Sequence, residues 1–189
     1  MTNFNIKIEN IVASASLGVR VPLESIIEHV EGTEYEPEQF PGLVYRIKDP
    51  KAAILIFSSG KVVCTGGRSI SDVRKAVEKV AMMIRSLKID VPKKYKIQIE
   101  NIVASAQVPA RLDLDKIAFG SENSEYEPSS FPGLVYRMKN PNATFLLFGS
   151  GKVVCTGIRK TEDVEYAMGF LFKKLKSINA LKKILNKRN

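Results

Sequence analysis

The chain repeats itself in register. Tyr35-Glu36-Pro37, Phe40-Pro41-Gly42-Leu43-Val44-Tyr45-Arg46, Ile54-Leu55-Ile56-Phe57 and Ser59-Gly60-Lys61-Val62-Val63-Cys64-Thr65-Gly66 form one block. Between Tyr126 and Gly157 the same punctuation returns: Phe131-Pro132-Gly133, Leu146-Leu147-Phe148, Ser150-Gly151-Lys152-Val153-Val154-Cys155-Thr156. Each matched position lies 91 residues from its partner, Phe40 from Phe131 and Cys64 from Cys155, without a gap. Such a register requires two copies of one fold, and it suggests that both face one object of approximate two-fold symmetry. The predicted division is 1–91 for the first repeat and 92–189 for the second, which ends in a basic tail. Each copy has about 90 residues, enough for a small core of its own.

Periodicity gives the elements. Asn5 to Ala15 alternates, with Ile11, Ala13 and Ala15 on one side and Asn10, Val12 and Ser14 on the other. Pro22 suits the first turn of a short helix whose apolar stripe is Leu23, Ile26, Ile27 and Val30; Asp113 stands in its place in the second copy, before Leu114 and Ile117. Strands are predicted at Gly42–Lys48, Ala52–Phe57 and Lys61–Gly66, separated by Pro50 and Ser58-Ser59-Gly60, with a short extended piece at Thr33–Tyr35. A long helix follows from Ile70 to Leu87, with Val73, Ala76, Val77, Val80, Ile84 and Leu87 inward. Val164, Ala167, Met168, Leu171, Leu175 and Ile178 reproduce those offsets; Ser69 and Thr161 are the predicted N-caps, and Val91-Pro92-Lys93-Lys94 is the predicted linker. Each copy therefore reads as strand, helix, four strands, helix, an α+β arrangement with an antiparallel sheet and helices on one face.

That arrangement poses a problem. A one-sided antiparallel sheet should alternate apolar and polar residues. In Ile54-Leu55-Ile56-Phe57 both faces are apolar, and in Val62-Val63-Cys64-Thr65 neither face is charged. Two helices can cover only one face. Asn10, Val12, Leu55, Phe57, Val63, Thr65 and their partners are left facing outward. The pattern alone leaves open whether the repeats bury these faces against each other as a sandwich or present a contact surface.

Charge and chemistry narrow the function. The net charge of +9 is uneven: Lys173, Lys174, Lys176, Lys182, Lys183, Lys187 and Arg188 lie beyond Leu171 with no acid among them, so residues 1–171 carry only about +2. This basic end is either a solvated helix face and tail or a second site for polyanions. No apolar run approaches the ~20 residues of a membrane span, and Met1–Glu9 has no apolar core of a signal peptide. Cys64 and Cys155 read as small buried apolar residues, with a disulfide or metal pair as the alternative. The single histidine, His29, has no counterpart in the second copy, and no metal-ligand spacing occurs. Ser-Gly-Lys lacks the spacing of a phosphate-binding loop and reads as a hairpin turn. Catalysis, metals and cofactors are therefore not expected.

The doubled Glu-Pro-x-x-Phe-Pro-Gly-Leu-Val-Tyr-Arg, Phe-x-Ser-Gly-Lys-Val-Val-Cys-Thr-Gly and Glu-Asn-Ile-Val-Ala-Ser resemble the TATA-box-binding protein family, in its archaeal form, over about residues 5–178. The resemblance implies a saddle. Ten antiparallel strands from two pseudo-symmetric repeats would form a curved sheet whose concave face binds DNA, with four helices on the convex side. It implies a general transcription initiation factor that reads the minor groove of A·T-rich TATA-box DNA and kinks it. Phe40 with Phe57, and Phe131 with Phe148, match the family's intercalating pairs. Asn10, Asn101, Thr65 and Thr156 would meet the acceptors of the groove floor, and Val12, Val103, Leu55, Leu146, Val63 and Val154 would supply apolar contacts. Arg46, Arg137, Lys61, Lys152, Arg68, Arg159, Ser59 and Ser150 would hold phosphates. Glu125 and Glu127 match the region that docks transcription factor B, which in turn brings RNA polymerase. Ser129 and Ser130 replace larger or acidic residues often found there.

The implied state on DNA is a monomer, with homodimerisation of the free protein left open. The implied location is the cytoplasm, on the archaeal nucleoid, or the nucleus for a eukaryotic source. An interaction module with an apolar sheet, or a family paralogue with altered DNA preference, are the competing readings; all four wedge phenylalanines favour promoter binding. The underside residues are nearly the same in both copies, so polarity on DNA is expected to come mainly from transcription factor B.

Overall fold

A computed structural model describes residues 4–182. Lys183, Lys187 and Arg188 of the basic tail lie outside the described residues. Contacts divide the chain into two compact units. One is Glu9–Asn101; the other takes its described residues from 4–8 and 102–182.

In the first repeat the elements are β1 (Lys7–Ser16), α1 (Leu23–His29), β2 (Thr33–Glu34), β3 (Gly42–Ile47), β4 (Ala52–Phe57), β5 (Lys61–Gly67) and α2 (Ile70–Ser86). The strands pair antiparallel in the order β2-β3-β4-β5-β1. The second repeat runs β6 (Ile97–Gln107), β7 (Arg111–Leu112), α3 (Leu114–Phe119), β8 (Ser124–Glu125), β9 (Leu134–Met138), β10 (Ala143–Leu147), β11 (Lys152–Ile158), α4 (Thr161–Ser177) and β12 (Leu181–Lys182). Its order, β8-β9-β10-β11-β6, reproduces the first. Five antiparallel strands and two helices in each repeat are those expected. The pair β7-β12, Leu112 opposite Leu181, is an addition that the sequence does not announce.

Strand parity decides where the core sits. Ile11, Ala13 and Ala15 of β1, Ile54 and Ile56 of β4, and Val62 and Cys64 of β5 are buried. The buried stripe of α2 (Val73, Ala76, Val77, Val80, Ala81, Ile84) packs over β4 and β5. In the second repeat Phe145 stands where Ile54 does; it is fully buried, and its ring stacks 6.4 Å from Tyr136. Burial leaves Cys64 and Cys155 as free thiols, with pKa values raised to about 11 and about 12 by desolvation.

Some expectations need correction. Ile27 is 41% exposed, because the two-turn α1 is too short to bury more than Leu23 and Ile26. Pro22 is the N-cap of α1, one residue ahead of its first turn. Ser69 caps α2, accepting from the Asp72 amide at 3.0 Å, but Thr161 is already helical, and the cap of α4 is Lys160 with no side-chain bond. Leu87 and Ile178 are C-caps and only half-buried. The linker is anchored to α2. Val91 is buried, Arg85 donates to the carbonyls of Val91 (3.2 Å) and Pro92 (3.0 Å), and Tyr95 donates to Glu78.

The beginning of the basic end is also held. Lys182 pairs with Asp113 at 2.8 Å, while Asp113 caps α3 by accepting from the Lys116 amide at 3.3 Å. The hydrogen bond to Lys182 is the main cause of a lowered Asp113 pKa.

Two outcomes are expected. Neither thiol should react with an aromatic disulfide reagent at pH 8 until the protein is unfolded; modification of either in the native state would refute their burial. Asp113→Asn keeps a capping group but loses the ion pair, at a cost on the order of 0.5 kcal/mol. A lowered native pKa stabilises above the unfolded value of about 4 and is lost as pH falls through the native one. The wild-type advantage in chemical denaturation should therefore be present at pH 7 and shrink as the pH falls below about 4.

Candidate nucleic-acid interface

The second face of each five-stranded sheet is neither core nor ordinary surface. In the first repeat Asn10, Val12, Leu55, Phe57, Val63 and Thr65 are all half-buried, alternating residue by residue with the buried set. Asn101, Val103, Leu146, Phe148, Val154 and Thr156 do the same in the second. The sequence reasoning that put these residues on one face of each repeat agrees with the burial pattern. It missed Val44 and Val135, which share the face. Val44 lies opposite Leu55 and Val135 opposite Leu146, and the alternation of β3 and β9 could have found them.

At the end of each face stands a phenylalanine pair. Phe40 meets Phe57 edge to face with centroids 5.9 Å apart and planes at 66°; Phe131 and Phe148 repeat this at 5.9 Å and 68°. Phe40 is 41% exposed and Phe131 40%. The loops that carry them are closed by the Phe40 and Phe131 amides donating to Glu36 and Glu127 carbonyls, each at 2.9 Å. Glycine makes the pairing possible. A Cβ on Gly42 would lie 2.6 Å from Phe40 Cε1 and 3.0 Å from Phe57 Cε1; on Gly133 the distances are 2.7 and 3.0 Å. The Phe-Pro-Gly signature is thus a notch for two rings.

The hairpins beside the rings are fixed from behind. Gly60 has φ +81°, and a Cβ there would sit 2.1 Å from the Val19 carbonyl oxygen. Gly151, at φ +90°, approaches the Ala110 oxygen in the same way, at 2.3 Å. Leu17 and Val21 amides donate to Gly60 and Ser58 carbonyls, and Val108 and Leu112 amides to Gly151 and Gly149.

Asn10 is more than a surface amide. β5 carries a bulge against β1, where Ile11 faces Gly67 but Ala13 faces Cys64. Gly66, in the bulge at φ +93°, donates its amide to Asn10 Oδ1 at 2.7 Å. Asn10 Nδ2 then donates to Thr65 Oγ1 at 3.1 Å. With the oxygen fixed on a backbone N–H, the amide nitrogen still has a second hydrogen to give. The second repeat has the same break in register, between Cys155 and Ile158, with Gly157 at φ +88°.

The basic residues are exposed, and Arg46 and Arg137 are each engaged by a carboxylate. Arg46 Nε lies 3.4 Å from Glu34, and Arg137 pairs with Glu125. Glu125, expected to meet a protein partner, is therefore engaged by Arg137, as its counterpart Glu34 is by Arg46. Glu127 is exposed and accepts from Ser129 Oγ at 2.7 Å. Ser59 and Ser150 hydroxyls accept from the Lys61 and Lys152 amides at 3.4 Å. Lys61, Lys152, Arg68 and Arg159 have exposed side chains. His29 is exposed and donates from Nδ1 to the Ser25 carbonyl at 2.8 Å.

Comparison with known proteins agrees with this arrangement. The profile of the family described as "Transcription factor TFIID (or TATA-binding protein, TBP)" matches residues 5–87 and again 96–178. The TATA-box-binding protein of Methanothermobacter thermautotrophicus is 53% identical over 87% of this chain and 91% of its own. That of Methanobrevibacter smithii is 48% identical over 96% of this chain and 100% of its own. The solved structure of Methanococcus jannaschii TBP, 45% identical, superposes with a TM-score of 0.86 over 91% of this chain and 98% of that one. The chain belongs to the TATA-binding-protein family of transcription factors and is not an enzyme.

Proposed function

We propose that this protein is the general initiation factor that binds A·T-rich TATA-box promoter DNA in the minor groove as a monomer. It kinks the duplex with its phenylalanine pairs and offers the bent complex to transcription factor B and then RNA polymerase. The observation that carries this is the doubled face: an apolar, half-buried sheet surface in each repeat, ending in an exposed pair of aromatic rings. The named relatives, TATA-box-binding proteins of archaea, support it. A cytoplasmic, nucleoid-associated location belongs to the same reading.

The chemistry fits the groove. At A·T pairs the minor groove offers only the acceptors A N3 and T O2; a G·C pair adds the guanine amino donor. Asn10, with its oxygen held by Gly66, presents N–H outward and suits acceptors alone. The valines and leucines beside it leave a guanine amino group without a partner, at roughly 1–3 kcal/mol. Unstacking a base step costs roughly a few kcal/mol. Full burial of a phenylalanine returns roughly 1.5–3 kcal/mol, but Phe40 and Phe131 are already about three-fifths buried. Their remaining burial returns only ~1 kcal/mol each. Stacking on the opened bases, at roughly 1–3 kcal/mol per base, and phosphate contacts must supply the rest.

Phosphates are within the means of Arg46 and Arg137, because exposed ion pairs are worth only ~0–1 kcal/mol and exchange readily for a phosphate. If Arg137 turns to DNA, Glu125 is released beside Glu127, so DNA binding would itself prepare an acidic surface for transcription factor B.

Energy transfer across a short end-labelled A·T-rich duplex tests the bending. The wild type should bring the ends together on this duplex and not on a G·C-rich one, and Phe57→Ala/Phe148→Ala should lose the effect; binding without bending would refute the reading. Asn10→Asp replaces the outward donor by an acceptor and should weaken binding to the A·T-rich duplex by about ten-fold or more, one lost discriminating contact being worth roughly 1–3 kcal/mol. A gel-shift titration showing unchanged affinity would remove Asn10 from the interface.

A further inference from the structure

The two faces are not quite identical, and the difference is chemical. Among the residues on them the repeats match at every position named above. Of the rest, Ser14 and Ser105 also match. Two positions differ. At the far ends of β1 and β6, Ser16 is replaced by Gln107, whose amide is held by the carbonyls of Val108 (3.2 Å) and Ser150 (3.0 Å). In the middle of the face, Ala53 is replaced by Thr144.

Both residues are half-buried and lie on the face by strand parity: Ala53 precedes Leu55 and Phe57 by two and four residues, and Thr144 precedes Leu146 and Phe148 in the same way. Each sits opposite the threonine of its repeat, Ala53 opposite Thr65 and Thr144 opposite Thr156. Thr65 Oγ1 is taken up in the Asn10 clamp. For Thr144 Oγ1, no hydrogen bond is found among the described residues. The second repeat therefore presents one more hydroxyl to whatever covers this face.

We infer that Thr144 is a specificity-determining residue: it lets the half-site under the second repeat accept a G·C pair that the half-site under the first repeat rejects. The inference rests on the minor-groove reading above. A hydroxyl both donates and accepts, so it serves an A·T acceptor and the guanine amino donor alike. The methyl of Ala53 does neither. Over Ala53 the guanine amino group loses its water and gains nothing. A symmetric A·T core would be bound in both directions, and a single G·C pair in one half would turn the protein so that Thr144 lies over it.

The experiment uses the whole chain carrying Ser130→Cys, with a DNA-cleaving reagent tethered there; the native thiols are buried. Target duplexes have a palindromic A·T core and one G·C pair, stepped through the positions of one half. At one of these positions cleavage should favour the G·C-bearing end by about five-fold or more, against equal cleavage of the unsubstituted core. Thr144→Ala should abolish the bias, and Ala53→Thr/Thr144→Ala should reverse it. Equal cleavage of both ends at every position, on a core that is bound and bent, overturns the inference alone. A bias that survives Thr144→Ala assigns it to another residue and overturns it too. No binding to the unsubstituted core would instead overturn the minor-groove reading itself.

Discussion

A strand places its side chains on two faces, and in this chain the helices reach only one of them. Everything else follows from that excess of apolar surface. Ile54 and Ile56 are fully buried, while Leu55 and Phe57, which alternate with them, are only half so. A second face of valine, leucine and phenylalanine is costly to leave in water unless a partner covers it. On the proposed reading that partner is the minor groove of A·T-rich DNA, whose floor bears acceptors and whose phosphate edges suit the exposed arginines and lysines around the face.

The phenylalanine pairs show how the surface is made ready before any partner arrives. Two rings edge to face in a notch left by glycine are already ordered. Little conformational freedom remains to be lost on binding. The hairpins behind them are fixed by amides from the loops that follow β1 and β6, and by glycines that no side chain can replace without striking a carbonyl. Each ring pair is thus held in place by the fold itself.

Much of this was legible in the sequence because repetition and alternation are both local signals. The 91-residue register gave the two copies, and period two gave the two faces, down to Asn10, Val63 and Thr65. What was not legible depends on geometry between distant residues. The Asn10 clamp joins residues 55 and 56 apart across a bulge, and nothing near Asn10 announces those partners. The β7-β12 ribbon needs Leu181 to return to Leu112, and two residues per strand carry no periodicity. Thr161 failed as a cap because Thr beside Lys160 looks like a helix start at either position. The Arg46–Glu34 and Arg137–Glu125 pairs link strands whose register only the fold reveals.

One consequence of the Asn10 clamp concerns the history open to this surface. The amide that offers a hydrogen outward is the same one that fastens Gly66 and Thr65 into the bulge. If it also meets DNA, as proposed, it cannot be exchanged for another group without loosening the strand that carries Val63 and Thr65. On the proposed reading, recognition and architecture are one trait there, and target preference would shift through neighbours that are not part of the clamp.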